Sequence, residues 1–180
     1  GRSVRVKAEI KDMKLSVRRK CQCIPVHHAE QISAVVNRAA ARLGADSAFI
    51  GKVGNDMFGH QLRQAVTEQG INTDGLKMDD EVHTTLAFVH TMEGGDRDFS
   101  FYRKPGADIE LTAEEVDEER IRDSRIFHFG TLSLTDEPAR SATRTALSYA
   151  EKAGCIRSFD PNLRPPLWND LEEAKVQVAW

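Results

Sequence analysis

Apolar residues first recur with a regular period between residues 32 and 43. Six of them are separated by three or four positions, which places them on one face of an α-helix. They are Ile32, Val35, Val36, Ala39, Ala40 and Leu43. Gly44 ends this predicted helix, and residues 47–50 (Ser-Ala-Phe-Ile) predict a short buried strand. Gly51, Gly54 and Gly59 predict a glycine-rich loop after that strand.

The next part of the chain changes from a helical to a strand-like pattern. Residues 58–69 predict a helix that ends at Gly70, where a left-handed conformation is needed. Residues 82–92 and 97–103 are rich in Thr, Val and Phe, and they flank Gly94 and Gly95. This composition predicts a β-hairpin, which we expect to stand outside the main sheet as a flap.

After Leu111 helices and strands alternate. Thr112 and Glu115 have the spacing of a capping box and predict the start of an acidic helix. The elements predicted beyond it are a strand at 125–129, a helix at 136–152, a strand at 156–159, a proline-rich loop at 160–166 and a helix from about Asp170. A strand, helix and strand in sequence predict a parallel sheet covered by helices, with ligands bound at the carboxyl ends of its strands.

Composition narrows the class of protein. The chain has 180 residues, of which 40% are hydrophobic, and this suffices for one sizeable core. No apolar run approaches the roughly 18 residues that cross a bilayer, so we expect a cytoplasmic protein without a membrane partner. The net charge of −3 does not favour nucleic acid as a partner. Residues 1–20 carry eight basic and two acidic side chains, so residues 1–29 are predicted to be a solvated basic arm, with organelle targeting as the alternative.

The cysteines also point to a reducing compartment. There are three, at uneven spacing, which is not the pattern of a secreted disulfide framework. Cys21, Cys23, His27 and His28 lie close together and carry typical zinc-ligand groups. Their spacing matches no familiar zinc module, and adjacent histidines would both have to face one ion. We therefore predict no metal site there.

Several sequence blocks resemble one enzyme family. Residues 42–59 are similar to the second part of the N-terminal signature of ribokinase-type (phosphofructokinase-B, pfkB) carbohydrate kinases. Residues 84–89 with 101–108 resemble the lid of fructokinases, residues 126–130 resemble their central strand, and residues 158–164 resemble the strand and loop beside their active site. In combination the blocks are specific, and they occur in family order.

The resemblance implies both a fold and an activity. Residues 30–180 would form part of a three-layer α/β/α ribokinase-like domain, with lid strands near 82–103. The implied reaction is ATP-dependent phosphorylation of a sugar hydroxyl, with fructose as the expected sugar and ATP with Mg²⁺ as the expected cofactors. A homodimer formed through the lid is a further possibility that the resemblance leaves open.

Two family motifs are not found in these 180 residues. Family members carry a Gly-Ala-Gly-Asp segment, whose aspartate takes the proton from the sugar hydroxyl, and residues 1–180 contain no such segment. Glu30, Gln31 and Val35 stand where the family has Gly-Gly-x-x-x-Asn. We therefore expect these residues alone to be inactive as a kinase. The alternative function is that of a non-catalytic pseudokinase that binds sugar or dimerises.

Phosphoryl transfer needs positive charge near the moving group and a cover that excludes water. Arg164 follows a predicted strand at the expected active face and is the main candidate for stabilising the phosphoryl group. The competing interpretation is a surface arginine that neutralises Asp160 or Asp170. Phe101 and Arg103, on one face of the second lid strand, are candidates for binding the sugar. Alternatively, Phe101 anchors the hairpin and Arg103 is merely exposed.

Other candidates divide between ligand contacts and local structure. Asp160 and Asn162 either orient the substrate or cap the turn before Pro161. Gly54 and Asp56 are expected to shape their turn rather than touch a ligand. A phosphate-binding P-loop is rejected because His60 and Gln61 follow the glycine interval in place of Lys and Ser or Thr. His128, on a buried strand, is predicted to be a core histidine rather than a general base.

Overall fold

The computed structural model describes residues 32–91 and 97–179. The α-helices in this part are α1 (Ile32–Arg42), α2 (Met57–Thr67), α3 (Glu118–Arg122), α4 (Ala139–Lys152) and α5 (Leu171–Val178). The strands are β1 (Ala48–Gly54), β2 (Asn72–Asp79), β3 (Leu86–Thr91), β4 (Arg97–Tyr102), β5 (Ile126–Gly130) and β6 (Ile156–Asp160). Short 3₁₀ helices lie at Ala107–Glu110, Ala113–Glu115, Thr131–Leu134 and Pro165–Leu167.

The described strands form three two-stranded sheets. β1 pairs with β2 and β5 pairs with β6, in both cases parallel, and β3 pairs antiparallel with β4. Each parallel pair is joined through a helix, α2 in the first and α4 in the second. The predicted strand, helix and strand order is therefore confirmed, and so is the predicted hairpin. We call the β3–β4 hairpin the lid.

The largest apolar cluster lies where α4 covers β5. Phe127 of β5 is 1% exposed, and Ala142, Ala146 and Ala150 face it from successive turns of α4. Small side chains at every fourth position let the helix approach the strand closely. Ile121 of α3 completes this core with no exposed surface. This packing fixes the carboxyl end of β5, where the loops that matter for ligands begin.

The prediction of a glycine-rich loop at residues 51–59 is wrong. β1 continues through Gly54, and Gly59 is the third residue of α2. The glycines serve close packing instead of loop flexibility. A Cβ on Gly59 would lie 1.9 Å from the carbonyl oxygen of Gly54, and a Cβ on Gly54 would lie 2.5 Å from the amide nitrogen of Thr84. The start of α2 is therefore pressed against the end of β1.

Other boundaries differ in smaller ways. Thr112 and Glu115 do form the predicted capping box, but the helix it opens is a 3₁₀ turn, and Asp117 caps the separate helix α3. α4 begins at Ala139 rather than 136, since Pro138 occupies its N-cap. Strand β2 was not predicted, because its sequence Asn-Thr-Asp-Gly-Leu-Lys-Met-Asp is largely polar. Gly70 has the predicted positive φ, at 77°, and Gly44, which ends α1 as predicted, has a positive φ of 82°.

Some predictions fall outside the described residues. They concern the basic arm 1–29 with its cysteines and histidines, and the turn at Gly94 and Gly95. Among the helices that are described, none combines the length and the apolar character needed to span a membrane.

Candidate functional site

A cavity of about 960 Å³ lies beside the base of the lid. The start of α2, the base of both lid strands and the loop before α5 form its walls. Aromatic and apolar side chains dominate the lining, namely Met57, Phe58, Leu86, Phe101, Tyr102 and Trp168. Asp56, His83, Lys104 and Asn169 supply polar groups. Its size is that of a small-molecule pocket, and so is its mixture of aromatic walls with a few polar groups.

Asp56 joins the wall of the cavity to the entrance of the lid. Its Oδ1 accepts hydrogen bonds from the backbone N–H of Gly59 at 2.8 Å and from the hydroxyl of Thr84 at 2.8 Å, and its Oδ2 accepts from the backbone N–H of Thr84 at 2.8 Å. Burial alone would raise the pKa of Asp56. The hydrogen bonds from Thr84 and Gly59 outweigh that effect and hold the pKa below its ordinary value. Asp56 therefore caps α2 and shapes the local structure, in addition to lining the cavity.

Arg103 lies at the exit of the lid and is only 4% exposed. The alternative of an exposed arginine is therefore wrong. Its Nε donates to Asp108 Oδ2 at 2.5 Å, its Nη1 donates to Thr135 Oγ1 at 2.8 Å, and its Nη2 donates to the carbonyl oxygen of Leu132 at 2.9 Å. A planar guanidinium suits such divided contacts, which a lysine could not make. Arg103 thus lines the cavity while its charge is paired inside the protein.

Asp160 is the last residue of β6, and Asn162 and Arg164 lie in the loop that follows it. Asp160 Oδ1 accepts a hydrogen bond from the backbone N–H of Asn162 at 3.1 Å, the pattern of a turn stabilised by aspartate. The hydroxyl of Thr131, after β5, donates to the carbonyl oxygen of Asn162 at 3.4 Å. Arg164 is half-buried and begins the 3₁₀ helix Pro165–Leu167, two of whose residues line the cavity. The loop therefore runs from the carboxyl end of β6 into the cavity wall.

His128 lies in the middle of β5, opposite Ser158 of β6. It is 5% exposed, and its Nδ1 is 3.0 Å from the hydroxyl of Ser158 on β6. Burial lowers the pKa of His128, and the charge of Asp160 opposes that effect only in part. The ring is therefore neutral near pH 7, as expected of a core histidine.

The structure separates the candidate residues into two groups. Phe101 and Arg103 line the cavity, whereas Asp160 ends β6, and Asn162 and Arg164 lie in the loop that leads from β6 to the cavity. The sequence did not single out Trp168, which is 7% exposed and contributes an aromatic wall. Its position two residues after a Pro-Pro pair was the only available signal. Within the described residues, no group of three or more His, Cys, Asp or Glu side chains is arranged to hold a metal ion.

Comparison with known proteins gives consistent matches. Residues 34–179 match the family described as pfkB family carbohydrate kinase. Fructokinase-2 from Solanum habrochaites is 46% identical over 140 residues, which cover 78% of this chain and 43% of that protein. The chain therefore spans less than half the length of this curated relative.

Solved structures agree with the sequence matches. A fructokinase from Xylella fastidiosa with bound ATP superimposes with a TM-score of 0.77 at 33% identity, over 88% of this chain and 54% of the other. A double mutant of the Vibrio cholerae fructokinase, bound to fructose, ADP and potassium ion, gives a TM-score of 0.75 at 28% identity, over 89% and 56% of the two chains. These similarities confirm the predicted partial three-layer α/β/α fold with a β-sheet lid.

Proposed function

Because this chain belongs to the pfkB family of carbohydrate kinases, we propose that it forms the lid and sugar-binding side of an ATP-dependent fructokinase. The observation that carries the proposal is the aromatic cavity at the base of the lid. Fructose is favoured as the sugar because the relative with 46% identity is a fructokinase and the Vibrio cholerae structure contains fructose.

The lining of the cavity suits a sugar. Phe101, Tyr102 and Trp168 offer flat apolar surfaces for the C–H faces of a sugar ring, and Asn169 and Lys104 offer polar groups for hydroxyls. Arg103 contributes to the wall, and its buried pairing keeps the wall rigid. In this arrangement Phe101 is the main sugar contact supplied by the lid.

The loop after β6 suits the other reactant. Arg164 directly precedes the 3₁₀ helix that contributes Pro166 and Leu167 to the cavity wall, and in the proposed site its guanidinium binds the phosphoryl group beside the sugar. Asp160 and Asn162 hold the backbone of this loop in one conformation and would orient the sugar hydroxyl. ATP is the proposed phosphoryl donor, in agreement with the ATP-bound Xylella fastidiosa structure.

Residues 1–180 do not contain every group that the reaction needs. They include no Gly-Ala-Gly-Asp segment, so they lack the aspartate that accepts the hydroxyl proton in the family. We expect these residues to bind sugar without phosphorylating it.

Sugar binding can be tested on the 180-residue chain. Fructose should raise its melting temperature in a concentration-dependent way, because a ligand of the folded state stabilises it. Phe101→Ala should weaken the fructose affinity roughly fivefold, since an aromatic contact is worth about 1 kcal/mol. Leu43→Ala, an exposed apolar residue outside the cavity, is the matched control and should leave the affinity unchanged. Equal loss of affinity in both variants, or no binding at all, would contradict the proposed site.

A further inference from the structure

Both strands of the lid are tied to the same buried carboxylate. Thr85 directly precedes β3, and its hydroxyl donates to Asp108 Oδ1. Arg103 directly follows β4, and its Nε donates to Asp108 Oδ2 at 2.5 Å. The two oxygens of one side chain therefore hold the entrance and the exit of the hairpin. We call Thr85, Arg103 and Asp108 the lid root.

The lid root is also attached to the body of the protein at two further places. Arg103 donates to Thr135 Oγ1 and to the carbonyl oxygen of Leu132, both in the segment that follows β5. On the entrance side, the backbone N–H of Gly54 donates to the hydroxyl of Thr84 at 3.0 Å. The first attachment reaches the segment just after β5, and the second reaches the last residue of β1. The ends of the lid are thus attached beside the carboxyl ends of β5 and β1.

Burial makes this arrangement rigid. Thr85, Arg103 and Asp108 are 7%, 4% and 3% exposed. A buried ion pair gains little net stability, because the two charges lose their hydration, but separating them would leave a charge uncompensated inside the protein. Such a pair therefore specifies one geometry more than it adds to stability. In this protein the specified geometry is the angle at which the lid leaves the domain.

We propose that Asp108 is a positioning residue that sets the orientation of the lid over the cavity by holding Thr85 and Arg103 at its root. Phe101 lies two residues from Arg103, so its place in the cavity wall depends on the same carboxylate. This inference goes beyond the proposed function, since it concerns the geometry of the hairpin and holds whichever sugar the cavity binds.

The test measures the distance between the lid and the body by spin labelling. Labels are placed at Ser100→Cys on β4 and at Ser141→Cys on α4, with Cys21 and Cys23 replaced by serine and the buried Cys155 retained. With the native root, the distance distribution should show one narrow peak. Thr85→Val removes the hydroxyl at nearly constant shape and should raise the population of displaced lid positions about tenfold, the equilibrium effect of losing a hydrogen bond to a charged group.

Three further variants make the result specific. Thr85→Ser keeps the hydroxyl and should preserve the single peak. Thr73→Val is a control, because Thr73 is a similarly buried threonine whose hydroxyl contacts Thr67 far from the lid. Asp108→Asn should broaden the distance distribution most. If the Asp108→Asn protein does not fold, the Thr85 variants alone test whether the lid root sets the position of the lid. A folded Thr85→Val protein with an unchanged peak, or a broad distribution with the native root, would overturn the proposal, whereas absent fructose binding would overturn only the proposed function.

Discussion

An arginine and an aspartate occur both at the lid root and where β6 runs into its following loop, but the two regions are built differently. At the lid root, Arg103 and Asp108 are almost fully buried and joined by a direct ion pair. At the end of β6, Asp160 accepts a hydrogen bond from the backbone N–H of Asn162, and Arg164 is half-buried just before a 3₁₀ helix. The residues at the lid root join separate segments of the protein. The residues at and after the end of β6 stabilise the local backbone turn and lie at the edge of the sheet.

This difference indicates that the two regions have different roles. Groups that fix a cover must keep one arrangement before any ligand arrives, so the protein pairs their charges internally. Groups that act on a transferred phosphoryl need access to it, so they stay near the surface of the active face. Under the proposed function arginine suits both regions, because a planar guanidinium can divide its hydrogen bonds among several acceptors or direct two of them at one phosphoryl group.

The largest expected difference between the regions concerns stability. Arg103→Met should lower the free energy of unfolding by about 3–5 kcal/mol, because it leaves the buried charge of Asp108 without a partner. Urea denaturation followed by circular dichroism measures this. Arg120→Met is the control, since Arg120 pairs with Asp74 and Asp117 at the surface and should cost no more than about 1 kcal/mol. Equal decreases in the free energy of unfolding for the two variants would show that the buried pair at the lid root matters no more than a surface ion pair.

A smaller effect is expected at the entrance of the lid, and it should depend on pH. Asp56→Asn should cost about 1–2 kcal/mol at pH 7, because it removes a charged acceptor of three hydrogen bonds. The folded state lowers the pKa of Asp56, so its stabilisation is complete above the unfolded pKa of about 3.9 and is lost as the pH falls through the lower folded value. The stability difference between the native chain and the variant should therefore shrink below about pH 4.

Unfolding curves between pH 7 and pH 2.5 measure this convergence. Asp46→Asn, at an exposed position, serves as the control and should leave the curve unchanged. A difference that stays constant down to the lowest pH would mean that the carboxylate charge is not what holds Thr84.

The smallest effect is expected in the loop after β6. Arg164→Ala should change the free energy of unfolding by no more than about 0.5 kcal/mol, the usual range for a substitution away from the core. The same denaturation experiment as for Arg103→Met gives the value. A cost near that of Arg103→Met would show that Arg164 is a structural arginine, and it would remove the contrast between the two regions.

Sequence patterns revealed much of the fold because the patterns are local. The helical period that predicts α1, the capping box at Thr112 and the β-rich hairpin each follow from neighbouring residues, and the helix, the capping box and the hairpin are all present. Strand β2 was missed because its pairing with β1 comes from a distant segment, and its own residues are mostly polar. Gly54 and Gly59 were assigned to a loop because close backbone packing and loop flexibility have the same sequence signal.

The candidate site shows the same limit. Phe101 and Arg103 could be named from strand alternation and the family resemblance, but the burial of Arg103 depends on Asp108 and on the segment after β5, about 30 residues away. The role of Asp108 at the lid root also arises only when the two ends of the hairpin meet. Such contacts between distant segments cannot be read from a single sequence without a pairing signal.

We propose that residues 1–180 hold the sugar side of a fructokinase without its proton acceptor. The most direct test is to incubate the purified chain with fructose, ATP and Mg²⁺ and to measure fructose phosphate against a control without protein. We predict no product above that control. Protein-dependent turnover approaching the median enzyme rate of about 10 per second would contradict the claim.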